Sequence, residues 1–179
     1  MTTSLNEMPP IIPPSPWVER HCGLIARGGR VLDLACGSGR HARLLAGLGF
    51  EVAAVDRNFE AILKLSAVPR ITATQHDLEG EAWPLAGERF AGIIVTNYLW
   101  RPRLPDVLAM LAPGGVLIYE TFMLGNEAYG KPSNPEFLLR PGELRQVAKA
   151  AGLREVAFEE GYVATPKPAM RQAICAVRD

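Results

Sequence analysis

Three carboxylates and two glycines carry the chemistry that this sequence offers. Asp33 lies in the apolar run Val31-Leu32-Asp33-Leu34, Ala35-Cys36-Gly37-Ser38-Gly39 follows directly, and Ala42 to Leu48 reads as a helix. A strand, a glycine turn and a helix in that order make a ligand loop. Gly37 lets the chain turn at positive φ, and Gly39 lets backbone approach a ligand that a Cβ would block. The helix start points unpaired N–H groups at the loop. Gly37-x-Gly39-x-x-Ala42 satisfies the dinucleotide spacing, in which a pyrophosphate lies on the helix N-terminus. Asp33 argues for a different occupant. Ahead of the glycines, a carboxylate repels a pyrophosphate and attracts a cationic amine or sulfonium, whose attraction in a partly dry cleft is worth several kcal/mol at ~4 Å.

That preference points to S-adenosylmethionine as cofactor, and VLDLACGSGRHARLL resembles the loop of the class I S-adenosylmethionine-dependent methyltransferases. Their pattern is D/E-x-G-x-G-x-G; Ala35 stands here in place of the first glycine. The resemblance implies that Asp33, Ala35, Cys36, Gly37 and Gly39 form the cofactor loop. Asp56 ends a second apolar run, Glu51 to Asp56, where the fold rule sets an acid to take the hydroxyls of an adenosine ribose. Arg57 follows it and can lie against the adenine. In the resembled family an acid after strand three takes the adenine amino group and the next amide meets a ring nitrogen, positions matched by Asp77 and Leu78. After strand four, members that methylate amino groups carry Asp/Asn-Pro-Pro-Tyr/Phe. This chain has Asn97-Tyr98-Leu99-Trp100, so that motif is not met. Asn97 is assigned to the cofactor side, and Tyr98 and Trp100 offer aromatic walls to a sulfonium methyl. His41, His76 and Glu120 are the candidate bases.

The elements that must position these residues follow from patterning. Ser15 and Pro16 open a helix to about Ala26, ended by Gly28-Gly29; on it, Trp17 and His21 either cover the sheet or line the cofactor mouth. Asn58 caps a helix over 59–68, Ile71 to Gln75 is strand three, and Ile93-Ile94-Val95 in the run 90–97 has the apolar continuity of a strand covered on both faces. A short helix at 104–111 precedes the turn Ala112-Pro113-Gly114-Gly115 and the strand 116–119, an entry similar to the family's fifth strand. Pro141 opens a helix to Ala150. Strands at 153–163 and 173–178, joined by a short loop, form an antiparallel pair. Five alternating βα units and a closing antiparallel pair match the order of the resembled family, and the resemblance implies an α/β Rossmann-like three-layer sandwich, with a mostly parallel seven-stranded sheet and an antiparallel C-terminal edge hairpin whose last strand lies beside strand five. A Pro-rich arm over 1–14 precedes a methyltransferase domain over 15–179.

The stretch 120–140 is about twenty residues without an evident element, long enough to suggest a lid over an acceptor. Arg101, Arg103, Lys131, Arg140, Lys167 and Arg171 fall on or beside the rim loops, which suggests an anionic acceptor. The segment YETF…GN…NPEFLLRPGEL looks most like the small tellurite-resistance-type methyltransferases, which implies a small acceptor with a soft nucleophile. Such a transfer needs in-line approach and desolvation more than a base.

Bulk properties limit the alternatives. Of 179 residues, 48% are hydrophobic and 21% charged, the balance of a globular protein. Nineteen Lys and Arg offset nineteen Asp and Glu, so no net field draws nucleic acid or an anionic membrane. No apolar run reaches the ~18 residues of a span and the N-terminus lacks a leader pattern, so a cytoplasmic protein with no membrane partner is expected. Three cysteines without CxxC spacing suggest reduced thiols and no metal site. Two rival functions remain: an NAD-dependent oxidoreductase, and a cofactor-binding module without turnover.

Overall fold

Residues 12–179 are described in a computed structural model of the chain. Most of the expected arm, residues 1–11, lies outside them. Seven strands form one sheet in the order β3-β2-β1-β4-β5-β7-β6: β1 (Arg30–Leu34), β2 (Glu51–Asp56), β3 (Ile71–Gln75), β4 (Phe90–Thr96), β5 (Leu111–Phe122), β6 (Arg154–Val163) and β7 (Ala169–Val177). The first five are parallel, and β7 runs antiparallel to both β5 and β6. The last strand therefore lies beside β5, as the sequence suggests. Among the described residues five α-helices cover the sheet: α1 (Pro16–His21), α2 (Arg40–Gly47), α3 (Phe59–Leu65), α4 (Leu104–Ala109) and α5 (Glu143–Ala150).

Strand alternation sorts the core into two layers. Val31, Val52, Ile94, Ile118 and Cys175 face α1, α2 and α3, where they meet Val18, Leu45 and Ile62. Leu32, Ile93, Val95, Leu117 and Tyr119 face the other way, against Val107 and Leu108 of α4 and Leu144 of α5. Because the period is two, Asp33 belongs to the same face as Val31, under α2. This register fixes the role of the residue described below.

Several boundaries differ from the patterning. Ser15 caps α1, accepting from the Trp17 amide (3.1 Å), but the α-helix stops at His21 and a 3-10 turn, Cys22–Leu24, follows around Gly23. Trp17 is 5% exposed and its Nε1–H donates to the Ile174 carbonyl (3.2 Å), so it covers the sheet. Asn58 caps α3 by accepting from the Ala61 amide, yet that helix ends at Leu65. The turn at 112–115 is present as an irregularity within β5, with Gly114 at φ 73° and a register shift against β4. At its other end β5 runs on to Phe122 because β7 pairs with it as far as Arg171. Glu120 and Thr121 are thus sheet residues and not the start of a loop.

The connection that follows is pinned at several points. The Met123 amide donates to the Met170 carbonyl and Leu139 N–H to the Phe122 carbonyl. Asn126, 1% exposed, donates to the Pro132 carbonyl and accepts from the Met170 amide. Leu138 and Leu139 are buried, leaving an exposed excursion over 129–137. Among the described residues no helix is long and apolar enough to cross a membrane.

Candidate functional site

The glycine loop leaves β1 through a run of left-handed residues. Ala35, Gly37 and Gly39 have φ of 53°, 54° and 77°, and only at Ala35 does a Cβ have to accept that conformation. The two glycines have different reasons. A Cβ on Gly39 would stand 2.3 Å from the Leu65 side chain, so this glycine admits α3 against the loop and not a ligand. A Cβ on Gly37 would meet nothing within 4 Å, so Gly37 is the one that faces open space.

Two carboxylates hold the loop's amides. Asp56 accepts from the Gly37 N–H through Oδ2 (2.8 Å) and from the Asn58 N–H through Oδ1 (2.8 Å). It braces the loop across two strands. Asp33 accepts from the Ala42 N–H at the start of α2 (2.9 Å), is 1% exposed, and leaves Oδ1 without a protein partner. Burial pushes its carboxyl up to about 7, opposed by the Ala42 amide and the Arg40 charge. Asp33 therefore sits behind the loop, where the sequence reading had set it toward a cationic ligand. Cys36 is also buried, 7% exposed, with its thiol pushed up by burial, and its amide ties the loop to the Val55 carbonyl.

His41 is engaged on both nitrogens. Nε2 accepts from the Ser15 amide (3.0 Å), which leaves Nδ1 to donate to Thr96 Oγ1 (3.4 Å). Burial brings its pKa down to about 3 and it is 1% exposed. A neutral, enclosed imidazole of this kind joins α1 to α2 and cannot reach a substrate proton.

A cleft of about 220 Å³ opens outside the carboxyl ends of β1 to β4. This is the switch point of the sheet, with β2 on one side of β1 and β4 on the other. Of the sequence-selected residues, Ala35, Asp56, Arg57, Asp77, Leu78, Asn97 and Tyr98 line it, and so does His76. Glu79 also lines it and was not selected. The β2 and β3 ends give the cleft three carboxylates, Asp56, Asp77 and Glu79. Tyr98 also lines a smaller void beside the cleft; its hydroxyl is buried without a protein partner, and burial raises its pKa.

The acceptor-side selections separate. Trp100 packs around a void of about 10 Å³ between Leu34, Trp83 and Tyr119, and lies outside the larger cleft. Glu120 is 9% exposed and faces Arg171 at 3.6 Å, outside the cleft lining. Arg171 also donates to Asn97 Oδ1 (2.7 Å). No group of three or more His, Cys, Asp or Glu that could hold a metal occurs among the described residues.

A family model described as a methyltransferase domain matches residues 13–157. This chain belongs to the methyltransferase domain family. It is 27% identical over 147 residues to a tRNA U34 carboxymethyltransferase of Methylococcus capsulatus, an alignment covering 72% of this chain and 45% of that protein. The domain thus spans about half the length of that curated relative. TehB from Haemophilus influenzae superposes with a TM-score of 0.73 at 20% identity, over 91% of this chain and 61% of that one. The glycopeptide N-methyltransferase MtfA, solved with S-adenosyl-L-homocysteine, superposes with a TM-score of 0.63 at 19% identity, over 91% and 88%. These structural likenesses establish the expected Rossmann-like fold.

The rim charges of this methyltransferase domain fall into two groups. Arg101 pairs with Glu143 and donates to the Glu136 and Leu138 carbonyls. Arg103 pairs with Asp106 and donates to the Gly80 and Glu81 carbonyls. Arg171 is held by Glu120 and Asn97. Lys131, Arg140 and Lys167 are exposed and form no ion pair among the described residues. The sequence reading counted all six together because composition cannot show which guanidinium already has a partner. Arg171 as a partner of Asn97, and the Tyr119 hydroxyl on the Tyr98 carbonyl (2.8 Å), had no signal in the sequence: both contacts cross between strands.

Proposed function

We propose that this domain binds S-adenosylmethionine in the cleft beside the glycine loop and transfers its methyl group to a small, anionic acceptor with a soft nucleophile. The observation that carries the cofactor assignment is the state of the loop's amides. A dinucleotide pyrophosphate needs free N–H groups at Gly37 and at the start of α2; Asp56 occupies the first and Asp33 the Ala42 amide. An anion site already filled by two carboxylates suits a cationic, adenosine-bearing ligand. The residues fit such a group: Gly37 faces open space, and Asp56 and Asp77 line the cleft with acceptor oxygens that suit the polar atoms of a ribose and an adenine.

When bound, the cofactor supplies an electrophilic methyl on a positively charged sulfur. The chain's own part is to bind, orient and dry. Asp56 keeps the loop fixed while its remaining lone pairs serve the ribose, and Leu78, 6% exposed, gives the adenine an apolar wall. Tyr98 puts an aromatic surface at the β4 end of the cleft, over which a sulfonium is stabilised. Of the three candidate bases, His41 is enclosed and neutral, Glu120 is faced by Arg171, and His76 lines the cleft. A soft nucleophile in line with the methyl does not require one. The exposed Lys131, Arg140 and Lys167 support an anionic acceptor by raising its local concentration.

Calorimetry tests the cofactor reading. S-adenosylhomocysteine is expected to bind with a Kd of about 1 μM, a free energy of about 8 kcal/mol, and Asp56→Ala to weaken it by about tenfold or more. Binding of NAD in place of S-adenosylhomocysteine would overturn the assignment. The tRNA named for the Methylococcus relative is a rival acceptor; affinity for tRNA that falls steeply with added salt would favour it.

A further inference from the structure

The corner that ends β4 determines which kind of acceptor group the cleft can hold. In the resembled family, members that methylate amino groups present two oxygens there, one from the Asp/Asn side chain and one from the carbonyl of the next residue. Here both oxygens already accept from the protein. Asn97 Oδ1 accepts from Arg171 Nη2 (2.7 Å), and the Tyr98 carbonyl accepts from the Tyr119 hydroxyl (2.8 Å).

The orientation of the Asn97 amide is fixed by chemistry. A guanidinium only donates, so the amide must turn its oxygen to Arg171. Arg171 is itself held, over the Phe122 ring at 4.6 Å and beside Glu120 at 3.6 Å. The backbone of Asn97 is set as well, left-handed at φ 55° with its N–H on the Glu120 carbonyl (3.0 Å). With Oδ1 taken, the Nδ2 group is left as a donor without a protein partner among the described residues, on a side chain that lines the cleft.

We propose, resting on the methyltransferase reading above, that Asn97 oriented by Arg171 makes this corner a hydrogen-bond donor, so that it selects a small thiol or comparable soft nucleophile carrying an oxyanion and rejects amines. An amine would have to share Oδ1 with a charge-assisted bond, and in its protonated form it meets the Arg171 charge. An oxyanion meets the Nδ2 donor with the Arg171 charge behind it. Asp56, Asp77 and Glu79 line the same cleft from the β2 and β3 ends and repel an oxyanion there, so the favourable place for one is the β4 end, beside Arg171.

The test uses two thiols that differ in the sign of their second group, mercaptoacetate and cysteamine. Each is titrated into isotope-labelled protein saturated with S-adenosylhomocysteine, with binding of the latter measured first by calorimetry. Mercaptoacetate is expected to shift the Asn97 side-chain amide resonances and to bind about tenfold more tightly than cysteamine, a difference of about 1.4 kcal/mol. Asn97→Asp keeps the contact with Arg171 but replaces the donor by an oxygen, and is expected to erase or invert that preference. Equal affinities, a preference for cysteamine, no response to either thiol, or an unchanged preference in Asn97→Asp would each overturn the proposal while leaving the cofactor reading intact. Failure of S-adenosylhomocysteine to bind would overturn both.

Discussion

On the β1 to β3 side of the cleft, the contacts that shape the site join residues near one another in sequence. Asp33 and the Ala42 amide are 9 positions apart, Asp56 and the Gly37 amide 19, Asp56 and the Asn58 amide 2. On the β4, β5 and β7 side the separations are of another order: 74 for Arg171 and Asn97, 42 for Arg101 and Glu143, 44 for Met170 and Asn126. The first side is a loop closed on its own neighbours, with carboxylates answering backbone amides. The second is assembled from the far end of the chain, with side chains answering side chains at Arg171 and Arg101. A local loop can keep one ligand geometry while the remote half changes, which is how one cofactor frame serves different acceptors.

If that contrast is right, changes on the first side strike stability and cofactor affinity together, while changes on the second strike the acceptor rim. The largest effect is expected at Asp33. Its carboxyl titrates at about 7 when folded, against an ordinary 3.8. Between those values the folded state holds a proton that the unfolded state has lost, so stability falls as pH rises through the window. Relative to Asp33→Asn, whose amide oxygen still serves Ala42, the wild type is expected to lose up to about 4 kcal/mol from pH 4 to pH 7. Urea unfolding at stepped pH reads this directly; parallel curves for the two proteins would show that Asp33 is ionised throughout.

Next in size is Gly39→Ala. A Cβ at 2.3 Å from Leu65 and a left-handed backbone together are expected to cost about 3 kcal/mol. Gly37→Ala carries only the backbone cost, about 1 kcal/mol, but its methyl enters open space beside Asp56 and should weaken S-adenosylhomocysteine. Equal losses of stability in the two variants would mean that the loop has one role for both glycines.

The smallest effect comes from the remote side. Arg101→Gln removes the clamp on Glu143 and on the Glu136 and Leu138 carbonyls, at an expected cost of about 1 to 2 kcal/mol for a half-buried pair. Limited proteolysis should then cut within 129–137 faster, with S-adenosylhomocysteine affinity unchanged. A fall in that affinity would mean that the two sides of the cleft are coupled.

Much of the site could be read before any fold was known, for a physical reason visible in Asp56 and Asp77. Asp56 ends a short apolar run and Asp77 follows the polar end of strand three, and a strand end at the switch point is where a ligand must lie; for Asp77 the family resemblance supplied the role. Ala35, Leu78, Asn97 and Tyr98, which also line the cleft, were selected through the family resemblance. The sequence reading did not show the contact that Asp33 makes: the period of two that sends Val31 toward α2 sends Asp33 there too, onto the Ala42 amide. It misread Gly39, whose neighbour is Leu65 of a helix twenty residues further on. It also drew Glu120 and Thr121 into a lid, since β5 owes its last turns of hydrogen bonding to β7, a partner that local propensity cannot supply.

By itself, then, the sequence determined the strand-loop-helix unit, the acids at the strand ends and the closing hairpin, because these follow from periodicity, turn chemistry and neighbours along the chain; the order of the sheet came through the family resemblance. Only the tertiary structure decided which charges are free. Arg101, Arg103 and Arg171 are engaged while Lys131, Arg140 and Lys167 are exposed, and Asn97 presents its nitrogen and not its oxygen. A side chain's hydrogen-bonding face depends on the donor opposite it, and here that donor arrives from a strand 74 residues away.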